Sequence, residues 1–133
     1  MDQLTQNKDV VRRWFSALSG ASYDEAWALM DQAGDYWVLR GRRTMKIADF
    51  AGVYQGHVDK TFVDGLRFEP NLMTAEDDRV SARVDGTATL RNGESFDNSY
   101  HFLFAVNGGL ITAVWEYGDT YMSWKAFGGV DAG

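Results

Sequence analysis

Four residues in the second half of the chain are suited by type and spacing to proton transfer. They are Arg83 and Asp85 in "RVD", Tyr100 in "NSYHFLF", and Glu116 in "AVWEYGDT". Two carboxyl groups enclosed in one apolar pocket are pushed apart in pKa, so that one can give a proton while the other takes one. A guanidinium beside them would hold one acid ionised, and a phenol would add a hydrogen-bond donor. The same residue types also build a buried ion-pair cluster that only satisfies itself. Residue type alone leaves these two readings level. The decision rests on which face of a sheet each side chain occupies.

Arg79 to Leu90 alternates cleanly, with Val80, Ala82, Val84, Ala88 and Leu90 in one phase and Ser81, Arg83, Asp85, Thr87 and Thr89 in the other. Read alone, the strand puts its polar phase in water. The hairpin that follows suggests the opposite. A two-residue turn at Asn92-Gly93 pairs Arg91 with Glu94 and sets Asp85 opposite Tyr100 and Arg83 opposite Phe102. The polar phase then shares a face with Phe96, Tyr100, Phe102 and Phe104, whose burial gains most. A three-residue loop at Asn107-Gly108-Gly109 would bring Glu116 opposite Tyr100 as well. A two-residue turn there would move Glu116 to the His101 face. On the first register, Asp85, Tyr100 and Glu116 form one inward row with Arg83 a step along.

The remaining elements must position that row. Thr5 to Ser19 has helical spacing through Val11, Trp14, Phe15 and Leu18, and Gly20 suits its C-terminal cap. Ser22 and Glu25 read as a capping box opening a second helix through Tyr23, Trp27 and Met30. "DYWVLR" (35–40) reads as a short strand, and Thr44 as the cap of a third helix with Ile47, Phe50, Ala51 and Tyr54 on one side. Leu66 to Leu72 alternates, with Pro70 demanding an edge or a bulge. Strands follow at Arg79–Leu90, Ser95–Val106 and Leu110–Tyr117, and a last short helix holds Tyr121, Trp124 and Phe127. Helices segregated from a four-strand meander define an α+β domain with helices over one face of an antiparallel sheet.

The 133 residues suit one domain spanning 1–133 with a core able to enclose a small molecule. A net charge of −6 argues against nucleic acid and anionic membranes as partners. With no cysteine, thiolate chemistry and disulfides are excluded. His57 and His101 are the only histidines, too few for a metal site. The first residues carry no signal-peptide pattern and no apolar run is long enough to span a bilayer, so a cytoplasmic protein is expected.

The order of elements and the ending "NSYHFLFAVNGGLITAVWEYGDT" resemble the SnoaL-like, ketosteroid-isomerase-like branch of the nuclear-transport-factor-two-like superfamily. The resemblance covers essentially the whole chain and is strongest over Gly93 to Thr120. It implies a cone-shaped curved sheet covered by three helices, a cystatin-like α+β barrel with one open mouth. It also implies cofactor-independent acid–base chemistry on a small, largely apolar molecule, of isomerase, cyclase or epoxide-hydrolase type. A non-catalytic binding or interaction module of the same fold is the alternative. "RVD" and Glu116 further resemble the Arg-x-Asp and last-strand acid of limonene-epoxide-hydrolase-like enzymes. By that likeness Asp85 protonates an epoxide, Glu116 activates water, Arg83 holds both, and Tyr36 positions the water. The chain departs from that pattern in having Glu116 for an aspartate and Val38 for an asparagine.

The catalytic candidates are therefore Asp85, Glu116, Arg83 and Tyr100. In a cone, wall and substrate contact merge, which adds Tyr36, Asn98, Phe102, Trp14 and Trp27 as substrate-binding candidates. Asp119, next to Thr120, reads as the cap of the last helix. The outer sheet face, taken as Ala82, Val84, Leu103, Ile111, Ala113 and Trp115, is apolar enough to expect a homodimer.

Overall fold

The computed structural model describes residues 2–127. Helix α1 (Gln3–Ser19) starts where the Asp2 carboxylate accepts from the Thr5 amide and ends as the Gly20 amide returns to the Ser16 and Leu18 carbonyls. Its buried stripe of Val10, Val11, Trp14, Phe15 and Leu18 has the spacing of one helix face. A single short helix, α2 (Tyr23–Ala28), follows. Ser22 sits at its N-cap, but its side chain makes no capping bond, so the expected box is not formed. Met30, expected on this helix, opens strand β1 (Met30–Val38). Thr44 likewise belongs to a strand, β2 (Arg43–Lys46), where it pairs with Trp37, and α3 (Ile47–Thr61) begins after Lys46.

Four long strands complete the sheet: β3 (Phe62–Glu76), β4 (Arg79–Leu90), β5 (Ser95–Asn107) and β6 (Leu110–Gly118). The order is β2-β1-β6-β5-β4-β3. The sheet is mixed, not wholly antiparallel as expected, because β1 runs parallel to β6. Such a pair needs a long crossover, and the whole of α3, β3, β4 and β5 lies between the two strands. β3 is an edge strand whose register shifts between Pro70 and Leu72, where the imide can donate no ladder bond. Helix α4 (Thr120–Ala126) closes the described chain, capped by Asp119, whose carboxylate accepts from the Tyr121 and Met122 amides.

The α+β cone is a curved, unclosed sheet with α1 and α3 packed on its inner face. One end of that interior is solid. Trp14, Phe15, Phe68, Phe102 and Phe104 meet there with ring centroids 5.1–6.2 Å apart, mostly edge to face. Such pairs add about 0.5–1.5 kcal/mol each beyond their burial. Trp14 completes its packing by donating its indole N–H to the Met30 sulfur at 3.2 Å. No helix among the described residues is long and apolar enough to cross a membrane.

Two local devices set the phase of the inner face. The β4–β5 hairpin turns through three residues, Arg91, Asn92 and Gly93, with Gly93 in the left-handed region at φ 89° and Leu90 facing Glu94. The β5–β6 hairpin turns through two, Gly108 and Gly109, at φ 59° and 79°. A β-bulge then inserts Thr112, since Val106 pairs with Ile111 and Ala105 with Ala113. The extra residue reverses the phase of everything beyond it. Thr112 is held by its own hydroxyl, which donates to the Ala105 carbonyl at 3.3 Å and accepts from the Asn107 amide at 2.9 Å.

Candidate active site

The three-residue turn moves the register of β4 by one, and Arg83 faces His101 while Asp85 faces Ser99. Val80, Ala82 and Val84 take the inner face, with no measurable exposure. Arg83 and Asp85 point to the outer face, a correction to the inward row expected from a two-residue turn. Asp85 accepts there from Asn71 at 2.8 Å and Ser99 at 3.5 Å. The Arg-x-Asp pair therefore shares no pocket with Glu116, because the sheet separates them.

Glu116 does reach the interior, by a different route from the one expected. The two-residue turn alone would put it outside, and the Thr112 bulge returns it to the inner face, opposite Phe102 instead of Tyr100. The Tyr36 hydroxyl donates to its Oε1 at 2.5 Å. Tyr36 is itself sealed, 1% exposed, with its ring stacked on Phe50 at 3.7 Å and 10°. Burial pushes the Glu116 carboxyl above its ordinary value, and the Tyr36 hydrogen bond pulls it part of the way back. Glu116 keeps some accessible surface because it lines a cavity.

That cavity, about 150 Å³, occupies the open end of the cone. Its wall is mainly apolar, from Phe50, Val58, Phe62, Leu66, Phe68 and Phe96, with Tyr54, His57, Tyr100, Glu116, Thr120, Ser123 and two arginines, Arg40 and Arg43, as polar groups. Tyr100 lies flat over two glycines on the neighbouring strands. A Cβ at Gly86 or Gly118 would come within 2.7 or 2.9 Å of its ring. Its phenol is pushed up to a high pKa by burial and by the nearby Glu116 charge, with Asn98 opposing. Tyr36 and Tyr54 are also raised, chiefly by burial, so all three phenols stay protonated donors at neutral pH. The Tyr54 hydroxyl is buried without a hydrogen-bond partner among the described residues. His57 is lowered by burial and by Arg40 and Lys60, and Phe127 packs edge-on against it at 4.4 Å.

The structure brings together three of the expected residues, Glu116, Tyr100 and Tyr36. Asn98 points inward, 3% exposed, but its amide is committed to α4, donating to the Asp119 carbonyl and Ser123 hydroxyl at 3.4 Å each. Trp14 and Phe102 belong to the solid end of the cone. Trp27 donates to Gln55 at 2.8 Å and stacks on Tyr23, off the cavity wall. The sequence reading missed Tyr54 and His57 as cavity residues. The signal was the α3 stripe of Phe50, Tyr54 and Val58 at four-residue spacing, which reads as plain core until a cavity is known to lie beneath it.

The described residues define a cone that encloses a small, mainly apolar cavity with the shielded Glu116 carboxyl on its wall. The chain belongs to the SnoaL-like domain family, whose pattern matches residues 11–114. No curated protein sequence matches it significantly. Solved structures match the fold closely at low identity. AclR, a putative hydroxylase from Streptomyces galilaeus, superposes with a TM-score of 0.82 at 16% identity, covering 96% of this chain and 88% of that one. An LEH-like epoxide hydrolase of M. tuberculosis gives 0.79 at 17% identity, covering 94% and 91%. IdmH, a putative polyketide cyclase from Streptomyces antibioticus, gives 0.80 at 15% identity, covering 92% and 99%.

Proposed function

We propose that the protein is a cofactor-independent acid–base enzyme acting on a small, largely apolar molecule, with Glu116 as its proton-transferring group. The observation that carries this reading is the one carboxyl that the described residues bring to the cavity wall, desolvated and oriented by the Tyr36 hydroxyl. A carboxyl whose pKa is raised by burial is a stronger base than one in water and holds its proton to higher pH. Tyr100, a protonated phenol on the same wall, is placed to donate to a substrate oxygen as charge develops on it. These groups suit proton abstraction next to a carbonyl, followed by return of the proton elsewhere. That is isomerase or cyclase chemistry. Epoxide opening by paired acids is disfavoured, because Asp85 and Arg83 lie across the sheet. A cavity of about 150 Å³ limits the reacting part to roughly one ring. The test is a screen of small enolisable ketones with wild type and Glu116→Gln. Turnover should fall by about 10²-fold or more in the variant. Equal turnover would sink the assignment and leave a ligand-binding cone without catalysis as the reading.

The expected homodimer also stays a proposal, with its surface corrected. Ala82, Val84 and Ile111 point inward, at 0% exposure. The outer face carries Leu103, Ala113 and Trp115, joined by Trp37 and Tyr117, whose rings lie 5.0 Å apart, and by Leu72, 66% exposed. We expect two copies to pair through these side chains. A monomer in sedimentation at micromolar concentration, unchanged by Trp115→Glu, would refute it.

A further inference from the structure

The aromatic side chains packed around the interior mostly pair their polar ends. Trp14 donates to the Met30 sulfur, Trp27 to Gln55 and Tyr36 to Glu116. The Tyr54 hydroxyl differs, as the one buried side-chain oxygen or nitrogen with no hydrogen-bond partner among the described residues. Buried polar groups are nearly always paired, because an unmet donor has lost its bonds to water and gained nothing in exchange. The ring of Tyr54 is held by Tyr23, Trp27 and Phe50, with centroids 6.2, 5.9 and 5.5 Å away. A ring clamped in this way keeps its hydroxyl in place. A phenylalanine would pack against the same three neighbours without leaving a donor unmet.

Tyr54 lines the cavity from α3, one turn beyond Phe50 and one turn before Val58, which line it too. Burial, then Tyr23, and then Tyr100 and Glu116 of the cavity wall push its phenol well above the ordinary value, so it stays a protonated donor at neutral pH. Neither Tyr100 nor Glu116 bonds to it, and the Glu116 carboxylate already accepts from Tyr36. With Tyr23, Trp27 and Phe50 covering its ring, the cavity is where the missing acceptor has room. We propose that the Tyr54 hydroxyl recognises an oxygen acceptor on the molecule held in the cavity, which makes that molecule a one-ring carbonyl compound held from the helix wall as well as from the sheet. This deepens the site of the preceding section and rests on the reading that a small molecule occupies it. Tyr54 is then a positioning residue, turning the ring relative to Glu116 on β6. It also selects, because a hydrocarbon of the same shape would leave the buried donor unmet, and a lost bond discriminates more sharply than lost space.

Calorimetric binding of cyclohexanone and of methylenecyclohexane, its isostere with a methylene group in place of the oxygen, tests this without turnover. The ratio of ketone to hydrocarbon affinity should fall about five- to tenfold from wild type to Tyr54→Phe. Hydrocarbon affinity should be kept or improve in the variant, which also shows that the cone is intact. Without ligand, Tyr54→Phe should unfold at the same denaturant concentration as wild type or a higher one, because a hydroxyl with no partner takes no bond away with it. An unchanged ratio overturns the proposal. So does a lower unfolding midpoint, which would mean that the hydroxyl is already satisfied inside the protein, and so does failure of both probes to bind wild type. Because binding is read alone, an unchanged ratio would leave proton transfer by Glu116 standing, and loss of the Glu116 assignment would leave a fallen ratio standing.

Discussion

Asp85 and Glu116 lie on strands flanking β5, and the sheet gives them opposite environments. Asp85 faces outward, half-buried, and accepts from Asn71 and Ser99. Glu116 faces inward, has one hydrogen-bond donor among the described residues, and is raised in pKa by the loss of water around it. Proton transfer in a pocket needs the second environment, because loss of water is what makes a carboxylate a stronger base. The comparison teaches that here a candidate catalytic acid is made by strand phase. Phase is set by one inserted residue in each hairpin.

The sharpest way to break the comparison is to neutralise each acid separately. Glu116→Gln should abolish about 10²-fold or more of any turnover, while Asp85→Asn should leave it within twofold. Initial rates on the same ketone panel measure both. Loss of activity in Asp85→Asn alone would mean that the outer face holds the chemistry.

The devices behind the phase can be broken next. A Cβ on Gly34 would lie 2.2 Å from the Thr112 carbonyl oxygen and 2.8 Å from Ile47 Cδ1. Gly34 thus makes room for the bulge that turns Glu116 inward. Gly34→Ala should cost about 3 kcal/mol of stability, since the obstacle is backbone and cannot rotate away. Denaturant unfolding reads this, and Gly52→Ala, with open space at its Cβ, is the control.

These devices also explain what could be read from the residues. The long strands were legible because alternation is a strong signal, and the aromatic row of β5 does face the interior. The polar phase of β4 was misplaced because "RNGE" accommodates a two- or a three-residue turn, and glycine permits both. The plain amphipathic reading of β4, with valines in and arginine out, was the correct one. Burying Val80, Val84 and Leu90 outweighs any gain from turning an arginine inward. Glu116 reached the expected face because a shorter turn and the bulge at Thr112 offset one another, and nothing in "GLITAV" marks the bulge. The parallel β1–β6 pair was illegible for a related reason. "MDQAGDYWV" does not carry its pairing partner in its own pattern.

The Tyr36 hydrogen bond sharpens the comparison further. Tyr36→Phe removes the one group that favours the Glu116 carboxylate, so the carboxyl pKa should rise. If Glu116 acts as a base, the ascending limb of the pH–rate profile should move to higher pH, with the plateau reached later. An unmoved limb would show that another group controls the rate.

Stability against pH carries the same information with a smaller effect. Glu116 titrates above its ordinary value of 4.5 in the folded chain. Between that value and the raised one, the folded state keeps a proton that the unfolded state has lost. Stability from this group therefore falls as pH rises through the window, and the full penalty remains above it. Glu116→Gln should flatten that slope and be the more stable protein at pH 8. Unfolding midpoints between pH 4 and 8 decide, and a slope that persists in Glu116→Gln would place the titrating group elsewhere.

A third acid gives the smallest effect and separates support of the cavity from its chemistry. Asp119 caps α4, and Ser123 and Thr120 of that helix lie on the cavity wall. Removing the cap by Asp119→Ala should cost about 1 kcal/mol of stability. The helix is otherwise tied to β5 by the long Asn98 hydrogen bonds at 3.4 Å, so it should loosen locally before the sheet does. Ligand affinity should then weaken while the pH–rate limb set by Glu116 stays in place. A shifted limb would mean that Asp119 belongs to the proton-transfer machinery, and that strand phase does not account for every acid the site uses.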